Sequence, residues 1–203
     1  MIRVGESSCL LEFATLEGPL AALRDLRRQP LPDVVELVPG ARTLLVSFAR
    51  AVSERDQARL GDAERAGAQA SGPPVSAATL HTIPVRYDGA DLAELARHAG
   101  VSVAQAIALH ASVEYRVAFL GFQPGFAYLA GLPAALAMPR RASPRPRVAA
   151  GSVAIGAEWT GIYPSATPGG WNLIGMTDVR LFDATASPPA LLFPGDRVRF
   201  APR

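Results

Sequence analysis

The sequence predicts an α+β fold in two parts, a small split β-α-β domain followed by a strand-rich barrel or sandwich. The chain has 203 residues, which allows two small domains. Strand-like and helix-like stretches alternate in its first third, whereas short apolar runs separated by Pro, Gly, Asp or Ser dominate after residue 112. Hydrophobic residues make up 49% of the chain, and 18 glycines with 18 prolines favour tight turns and strands over long helices.

The first domain is predicted from a β-α-β-β-α pattern. Its elements are a strand over 8–13, a helix opened by Pro19, strands over 34–38 and 43–48 that form a hairpin, and a helix from Ser53 toward Ala68. Proline suits the first turn of a helix, and Leu20, Leu23 and Leu26 fall on one helical face. The segment 81–85 is available as a closing strand of this domain, and the uncharged stretch 71–78 is the candidate linker.

Three helices are predicted to begin at capping boxes, in which two side chains three residues apart bind each other's backbone N–H groups. The pairs are Ser53 with Asp56, Asp91 with Glu94, and Ser102 with Gln105. The last two helices are expected to end at Gly100 and near Ser112. Beyond them, the predicted strands are 115–120, 147–155, 171–174, 179–182, 190–193 and 198–200.

The stretch from Val117 to Met138 contains no charged residue and is long enough to span a membrane. Turn signals at 123–125 and 131–133 would leave backbone groups unpaired in lipid. We therefore expect a buried strand, a turn and a second strand, and no membrane partner. The first residues lack the apolar region of a signal peptide, so a cytoplasmic location is expected.

Composition excludes several classes of chemistry. All 20 basic residues are arginines, so no lysine is present for a Schiff base, a Walker-type phosphate site or a Ser-Lys pair. The net charge of +2 argues against nucleic acid as the main partner. The single cysteine, Cys9, lies in an apolar run and is interpreted as a core residue in a reducing compartment.

Four glycine-containing turns stand out, and aromatic residues crowd three of them. Pro-Gly suits the centre of a type II turn, and Pro194-Gly195 is interpreted as a simple hairpin. Glycines allow backbone N–H groups to approach a ligand, and aromatic rings line such pockets, so the other three predict either a pocket or plain core packing. The candidate binding residues are Phe122, Pro124, Gly125, Phe126, Tyr128, Gly151, Ser152, Tyr163, Thr167, Pro168, Gly169, Gly170 and Trp171.

Arginines cluster once, at Arg140, Arg141, Arg145 and Arg147. The intervening prolines favour an extended backbone, so Arg145 and Arg147 are expected on one face. Guanidinium groups bind carboxylate or phosphate through paired hydrogen bonds, which makes the cluster an anion-binding candidate. A solvated, positively charged loop is the alternative.

His110 shares a helical face with apolar neighbours, and two roles fit it. It is either a hydrogen-bonded core residue or a general acid or base assisted by Glu114. His81 and His98 have no partners at ligand spacing, so no metal site is predicted. Neither a G-x-S-x-G elbow nor a G-x-x-x-x-G-K-[ST] loop occurs, so Ser152 is a weak candidate for an acyl nucleophile.

A long motif string resembles one known family. It consists of YRVAFLGFQPGFAYL at 115–129, Pro139-Arg140, Pro144-Arg145, Gly151-Ser152-Val153, TGIYP at 160–164 and TPGGW at 167–171. Together with the opening at 5–13, this resembles the family of 5-oxoprolinase B subunits, also called allophanate hydrolase subunit 1, which includes the sporulation kinase inhibitor KipI. The likeness covers nearly the whole chain.

The resemblance implies a ferredoxin-like domain over 1–79 and a cyclophilin-like β-barrel over 80–203. It also implies a complex with the C subunit of 5-oxoprolinase, and with a lamB-type A subunit, that uses ATP to open 5-oxoproline to glutamate. ATP, with Mg²⁺, would be shared with the partner chain. The alternatives within the family are an inhibitor of a sensor histidine kinase and a component of an allophanate hydrolase or urea carboxylase.

Residue chemistry and motif position together predict the roles within the site. Arg140 and Arg145 would hold a carboxylate or phosphate, and Arg145 is counted with His110 as catalytic. The amides of Gly169 and Gly170 would stabilise developing oxyanion charge, and His110 would transfer a proton.

Overall fold

The computed structural model describes residues 1–70 and 78–203. It divides into two compact units, Met1–Ala77 and Ala78–Arg203. The predicted linker at 71–78 lies outside the described residues except for Ala78. Each unit has its own hydrophobic core, and both combine helices with strands, as the α+β prediction requires.

The first unit is a four-stranded antiparallel sheet with two helices. Its elements are β1 (Ile2–Val4), β2 (Ser8–Glu12), α1 (Glu17–Arg28), β3 (Val34–Pro39), β4 (Thr43–Phe48) and α2 (Glu54–Ala68). The strand order is β1-β2-β4-β3, and β3 and β4 form the predicted hairpin. The buried face of α1 carries Leu20, Leu23 and Leu26, as its periodicity predicts.

The closing strand of the first unit differs from the prediction. The short β1 takes that edge, where Ile2 lies opposite Leu10. The segment 81–85 instead belongs to the second unit, where it pairs in parallel with a C-terminal strand. An apolar run with a turn before it does not specify its partner, because the partner is decided by which sheet buries its side chains.

The second unit contains most of the strands. Its elements are β5 (Leu80–Val85), α3 (Leu92–His98), α4 (Val103–Ala111), β6 (Tyr115–Leu120), β7 (Ala127–Ala130), a 3-10 helix (Ala134–Leu136), β8 (Arg145–Val148), β9 (Ser152–Gly156), β10 (Trp159–Ile162), β11 (Thr167–Gly169), β12 (Asn172–Met176) and β13 (Arg197–Pro202). Seven strands form one sheet in the order β12-β9-β10-β7-β6-β13-β5, and β11 pairs with β8 separately.

The seven-stranded sheet curls until its two edges nearly meet. Arg86, directly after β5, exchanges both backbone hydrogen bonds with Met176 at the end of β12, at 2.9 and 2.8 Å. The N–H groups of Gly89 and Asp91 extend this contact to the carbonyls of Ile174 and Leu173. The sheet is therefore a nearly closed barrel rather than a sandwich, and closure satisfies backbone groups that an open edge would expose.

Several strand predictions in this unit need correction. The run 147–155 is two strands, because the turn at Ala150-Gly151 separates β8 from β9. The segments 179–182 and 190–193 are not strands, and a single bridge joins Phe182 to Ala190. Both segments lie in a stretch dense in proline, serine and alanine, where short apolar runs occur without strand pairing.

The uncharged stretch 117–138 forms the expected strand, turn and strand, as parts of β6 and β7 with their connection. Val117 and Leu129 lie opposite each other in the sheet and both are fully buried. The apolar residues at these buried positions therefore belong to the interior of the barrel. Among the described residues, none of the helices has the length and apolarity needed to cross a bilayer.

Candidate functional site

The aromatic residues of the glycine motifs meet in one cluster on the barrel. The ring of Phe126 lies 5.3 Å from Tyr163 and from Trp171 and 5.2 Å from Tyr128, all edge to face. Phe126, Tyr163 and Trp171 are 1%, 1% and 4% exposed. Three motifs that are distant in sequence therefore converge, and most of their rings are packed against one another in the interior.

Phe122 is the exposed member of the cluster. Its side chain is 60% exposed, and its ring lies 5.4 Å from Phe126 and 6.3 Å from Tyr163. Its φ of 69° is in the left-handed region, which is costly for a bulky residue. The neighbouring Gln123 accepts a hydrogen bond from the Ser165 hydroxyl at 2.9 Å, so this turn is tied to the loop after β10.

The Pro-Gly turn next to Phe122 faces a different part of the barrel. Gly125 has a φ of 79°, as a type II turn requires, but a Cβ there would lie 2.6 Å from the Cβ of Phe182. Gly125 therefore packs against the segment after β12. Pro124, the other residue of the turn, is exposed. Pro194-Gly195 is also a turn, with a φ of 99° at Gly195, but it does not join the two strands of a hairpin as predicted, because the segment 190–193 before it is not a strand.

The second Pro-Gly motif is a strand rather than a type II turn. Thr167, Pro168 and Gly169 form β11, and Gly169 lies opposite Arg145 of β8. A side chain at position 169 would clash, since its Cβ would lie 2.4 Å from the hydroxyl oxygen of Tyr163. The glycine is needed here for close approach of the backbone to a tyrosine.

The hydroxyl of Tyr163 sits between the glycines and the arginines. It accepts a hydrogen bond from the backbone N–H of Trp171, and Arg140 and Arg145 are close enough to act on it electrostatically. Burial raises the pKa of Tyr163, while that hydrogen bond and the two arginines oppose the shift. The tyrosine is therefore a neutral hydroxyl at the edge of the cationic region.

The backbone of Gly151 and Ser152 is hydrogen-bonded to the backbone of this tyrosine. The N–H of Gly151 donates to the carbonyl of Tyr163 at 2.7 Å, and the N–H of Tyr163 donates to the carbonyl of Ser152 at 2.9 Å. Gly151 has a φ of 81°, and a Cβ there would lie 2.2 Å from the carbonyl oxygen of Thr177. Ser152 is 2% exposed. These residues hold the backbone around the tyrosine in place.

The arginines occupy three different environments. Arg140 is exposed, and its guanidinium lies over the Trp171 ring at 5.8 Å. Arg141 and Arg145 converge on one carboxylate oxygen, Oδ1 of Asp91, through Arg141 Nη1 at 2.9 Å and Arg145 Nη2 at 2.8 Å. Arg147 lies on the same strand as Arg145 and is exposed.

Asp91 is the residue that the sequence interpretation missed. It was predicted to cap α3 with Glu94, but its side chain makes no capping hydrogen bond. Its Oδ2 instead accepts from the N–H of Leu173 at 2.7 Å. Asp91 precedes Arg141 by 50 residues, so only barrel closure brings them together, and the capping spacing was a misleading signal.

The pair formed by Arg141 and Arg145 has hydrogen-bond donors without acceptors. Arg141 Nε and Arg145 Nη1 are buried and have no hydrogen-bond partner. Buried donors without acceptors are costly, and in native structures they indicate strain or a missing water, ion or ligand. The backbone of Arg141 is fixed nearby, since its N–H donates to the carbonyl of Gly170 at 2.8 Å.

His110 lies in the barrel core, and its surroundings give it a structural role. It is fully buried, its ring stacks on Phe200 at 4.6 Å, and both ring nitrogens have partners: Tyr87 Oη at 2.7 Å and Thr160 Oγ1 at 3.0 Å. Burial lowers the pKa of His110 to about 3. Because the Thr160 hydroxyl donates to the carbonyl of Ala154, His110 Nε2 must be the protonated nitrogen.

Glu114 does not assist His110 as predicted. Its two carboxylate oxygens accept hydrogen bonds from Arg197 at 2.9 Å and Arg199 at 2.5 Å. The proton-transfer role of His110 stays a prediction, and this geometry does not favour it. Within residues 1–70 and 78–203, no group of three or more His, Cys, Asp or Glu side chains is arranged to hold a metal ion.

Comparison with known proteins identifies the family. The family model described as carboxyltransferase domain, subdomain C and D, matches residues 1–192. A protein of Escherichia coli O157:H7 named as the B subunit of 5-oxoprolinase is 45% identical, over 98% of this chain and 94% of its own length. A protein of Bacillus subtilis strain 168 with the same name is 37% identical, over 98% and 90% of the two chains.

A solved structure shares both fold and sequence with this chain. The crystal structure of TTHA0988 superposes with a TM-score of 0.80 at 38% identity and covers 97% of this chain. This chain in turn spans 40% of TTHA0988. The match of the family model over nearly the whole length, and the two relatives that agree with it, place this chain in the carboxyltransferase domain, subdomain C and D, family, together with proteins named as 5-oxoprolinase B subunits.

Proposed function

We propose that this chain is one component of an ATP-dependent 5-oxoprolinase and acts with partner chains. The observation that carries the proposal is the 45% identity, over almost the full length of both chains, to a protein named as the B subunit of 5-oxoprolinase. That name supports a multi-chain enzyme. TTHA0988, of which this chain spans 40%, supports a partner that supplies further parts of the enzyme. In our proposal these partners are the C subunit of 5-oxoprolinase and a lamB-type A subunit.

The reaction opens a planar lactam that resonance protects from water. The lactam oxygen attacks the γ-phosphorus of ATP, a new O–P bond forms, and the bond to the departing ADP breaks. Water then adds to the activated ring carbon, the ring C–N bond breaks, and the nitrogen takes up a proton. A second water releases phosphate and leaves glutamate. Phosphoryl transfer and the final release of phosphate develop negative charge on oxygen, which fixed donors stabilise.

The cationic edge of the aromatic cluster is the proposed binding site on this chain. Arg140 is exposed, and Arg145 retains a guanidinium nitrogen without an acceptor. Both therefore suit a carboxylate or phosphate. Gly169 and Gly170 lie beside them and are proposed to offer backbone amides to an oxyanion. Phe122, the exposed ring, would cover a bound ring from one side.

ATP is proposed to bind in the assembled enzyme, between this chain and its partner. The chain has no lysine, so its contribution to phosphate binding must come from arginine side chains and backbone amides. The described residues offer no cluster of carboxylates for Mg²⁺. We therefore derive no step from a metal held by this chain alone.

The finer fold assignment is part of the same proposal. The β2-α1-β3-β4-α2 order of the first unit supports a ferredoxin-like domain over 1–79, with β1 at the position of the closing strand. The nearly closed seven-stranded sheet supports a cyclophilin-like barrel over 80–203. Cys9, which is buried and unpaired, is compatible with the reducing conditions of the cytoplasm.

The experiment is to co-purify the chain with its partner chains and measure ATP hydrolysis and glutamate formation with and without 5-oxoproline. We expect ATP hydrolysis that depends on 5-oxoproline. Arg145→Ala should lower kcat/KM by about one to two orders of magnitude, because a hydrogen bond to a charged group contributes about 1.5–3 kcal/mol.

The matched control is Arg97→Ala, which removes the same charge from an exposed position on α3 and should leave turnover unchanged. Two results would count against the proposal. Absence of hydrolysis that depends on 5-oxoproline in the intact complex would reject the function. Equal turnover of Arg145→Ala, Arg140→Ala and the unmodified complex would reject the site while leaving the function in place.

A further inference from the structure

Asp91 organises the arginine pair through a set of short, specific contacts. Its side chain is 4% exposed, and one oxygen accepts from both Arg141 and Arg145 while the other accepts from the backbone of Leu173. The Asp91 N–H also donates to the carbonyl of Leu173 at 2.9 Å. The carboxylate is thus fixed to the barrel, and both guanidinium groups are oriented by it.

Two guanidinium groups around one carboxylate leave the cluster with a surplus of one positive charge. Glu94 reduces this only weakly, because it lies 4.0 Å from Arg141 and its side chain is 49% exposed. The same two arginines carry the buried donors without acceptors, Arg141 Nε and Arg145 Nη1. One monovalent anion with two acceptor oxygens would balance both the charge and the donors.

We propose that Asp91 is a positioning residue that holds Arg141 and Arg145 as a receptor for the carboxylate of the substrate. The receptor follows from the geometry of the three residues, and the identification of its ligand with 5-oxoproline rests on the proposed function. A carboxylate matches this receptor because its two oxygens are coplanar and fit guanidinium donors. The two unpaired donors are buried, so binding requires a displacement of Arg141, whose side chain is 34% exposed.

Replacing Asp91 distinguishes a positioning role from simple charge balance, because the two roles predict opposite changes in the affinity for an anion. If Asp91 only neutralised charge, Asp91→Asn would raise the net positive charge and tighten anion binding. If it positions the arginines, the variant leaves them mutually repelling and poorly oriented, and binding weakens. We expect the KM for 5-oxoproline in the assembled enzyme to rise about tenfold or more, with a smaller change in kcat.

The control for this variant is Asp88→Asn, which removes the same charge at a half-exposed position where the partner is Arg86. It should leave the KM unchanged. Arg141→Gln is a second variant that keeps Asp91 paired with Arg145 and removes one receptor donor. It should raise the KM in the same way, so the proposal stays testable if Asp91→Asn does not fold. An unchanged or lower KM in both folded variants, or in the one that folds, would overturn the proposal.

A binding measurement on the full chain tests the receptor without catalysis. The side-chain N–H signals of ¹⁵N-labelled arginine are recorded while 5-oxoproline, acetate, inorganic phosphate or 2-pyrrolidinone, the same lactam ring without a carboxylate, is added. We expect 5-oxoproline and acetate to shift the signals of Arg141 and Arg145, 2-pyrrolidinone to leave them in place, and Asp91→Asn to abolish the shifts. Equal shifts with 2-pyrrolidinone, or shifts with phosphate alone, would reject a carboxylate receptor.

The two proposals fail in different ways. Arginine shifts with carboxylates, but no ATP hydrolysis that depends on 5-oxoproline, would reject the proposed function and support the receptor. Hydrolysis that depends on 5-oxoproline with an unchanged KM in Asp91→Asn would support the function and reject the receptor.

Discussion

At the scale of single residues, close contact decides which positions of the site tolerate change. Gly169 and Gly170 are adjacent and chemically identical, yet their surroundings differ. A Cβ at 169 would lie 2.4 Å from the hydroxyl oxygen of Tyr163, whereas a Cβ at 170 would have ordinary contacts at 3.7 Å. Tyr163 is 1% exposed and cannot swing aside, so position 169 has no room for a methyl group.

Gly169→Ala is therefore expected to lower the free energy of unfolding by about 2 kcal/mol, the usual scale for overpacking a buried site. Gly170→Ala should change stability by much less. Chemical denaturation followed by tryptophan fluorescence measures both, because both tryptophans, Trp159 and Trp171, lie in the second unit. Equal stabilities of the two variants would show that Tyr163 moves more freely than its burial indicates.

At the scale of elements, the three predicted capping boxes had different outcomes. Ser53 and Asp56 form one at α2, and Ser102 and Gln105 form one at α4, with both reciprocal hydrogen bonds present. At α3, Asp91 has the same spacing but serves the arginines instead. The charged arginine pair, together with the N–H of Leu173, outcompetes the first N–H groups of α3 for the Asp91 carboxylate, because hydrogen bonds between charged groups are stronger.

Ser53→Ala should lower the free energy of unfolding of the first unit by about 1 kcal/mol, since the N–H of Asp56 loses its acceptor. Ser53→Thr keeps the hydroxyl and is the matched control. Thermal denaturation followed by circular dichroism checks the difference between the two. Equal midpoints for alanine and threonine would mean that Arg50, which also binds Asp56, holds the start of the helix by itself.

At the scale of the whole second unit, a buried polar chain links the helices to the barrel. Tyr87, after β5, donates to His110 Nδ1, and His110 donates to Thr160 of β10. Tyr115 of β6 donates to the carbonyl of His110 at 2.8 Å. A fully satisfied network of this kind specifies one packing arrangement, because each group would be costly to bury alone.

This network makes the stability of the second unit depend on pH. The pKa of His110 is about 3 in the folded chain, against about 6.5 in an unfolded one. The unfolded state therefore binds a proton that the folded state excludes, so stability is full above about pH 6.5 and falls as the pH drops toward 3. Between about pH 7.5 and about pH 5, this residue should account for a loss of about 2 kcal/mol.

The test is denaturant unfolding of the full chain at both pH values, followed by tryptophan fluorescence. His110→Gln, which can still donate and accept, should be less stable at neutral pH but lose about 2 kcal/mol less on acidification. His98→Gln, at an exposed position, should behave like the unmodified chain. An unchanged pH slope in His110→Gln would contradict the assignment.

Much of the fold was predictable because it depends on local patterns. The periodicity of Leu20, Leu23 and Leu26 predicted the buried face of α1, and two apolar runs separated by a Pro-Gly turn predicted the hairpin of β3 and β4. The segment 81–85 was assigned to the wrong sheet, because strand partners are set by contacts far along the chain. The same limit explains why 179–182 was predicted as a strand.

The sequence predicted which types of residue form the candidate site, but it did not predict all of the contacts between them. Motif position brought together Phe126, Tyr163, Trp171 and Arg145, which the structure places in one region. Core packing of the three rings was one of the two alternatives that the sequence left open, whereas Asp91 was missed because its spacing suggested a helix cap. Spacing describes the neighbours of a residue along the chain, whereas Arg141 and Arg145 reach Asp91 only across the barrel.

By itself, the sequence determined the two-part α+β organisation, the arginine-only basic chemistry and the family resemblance. Each of these is a property of composition, local periodicity or a contiguous motif. Only the tertiary structure decided that the barrel closes between Arg86 and Met176, and that this closure carries Asp91 to the arginines. The physical reason is that a buried carboxylate binds the charged groups and donors within its reach, and the two arginines come within reach of Asp91 only once the sheet has curled.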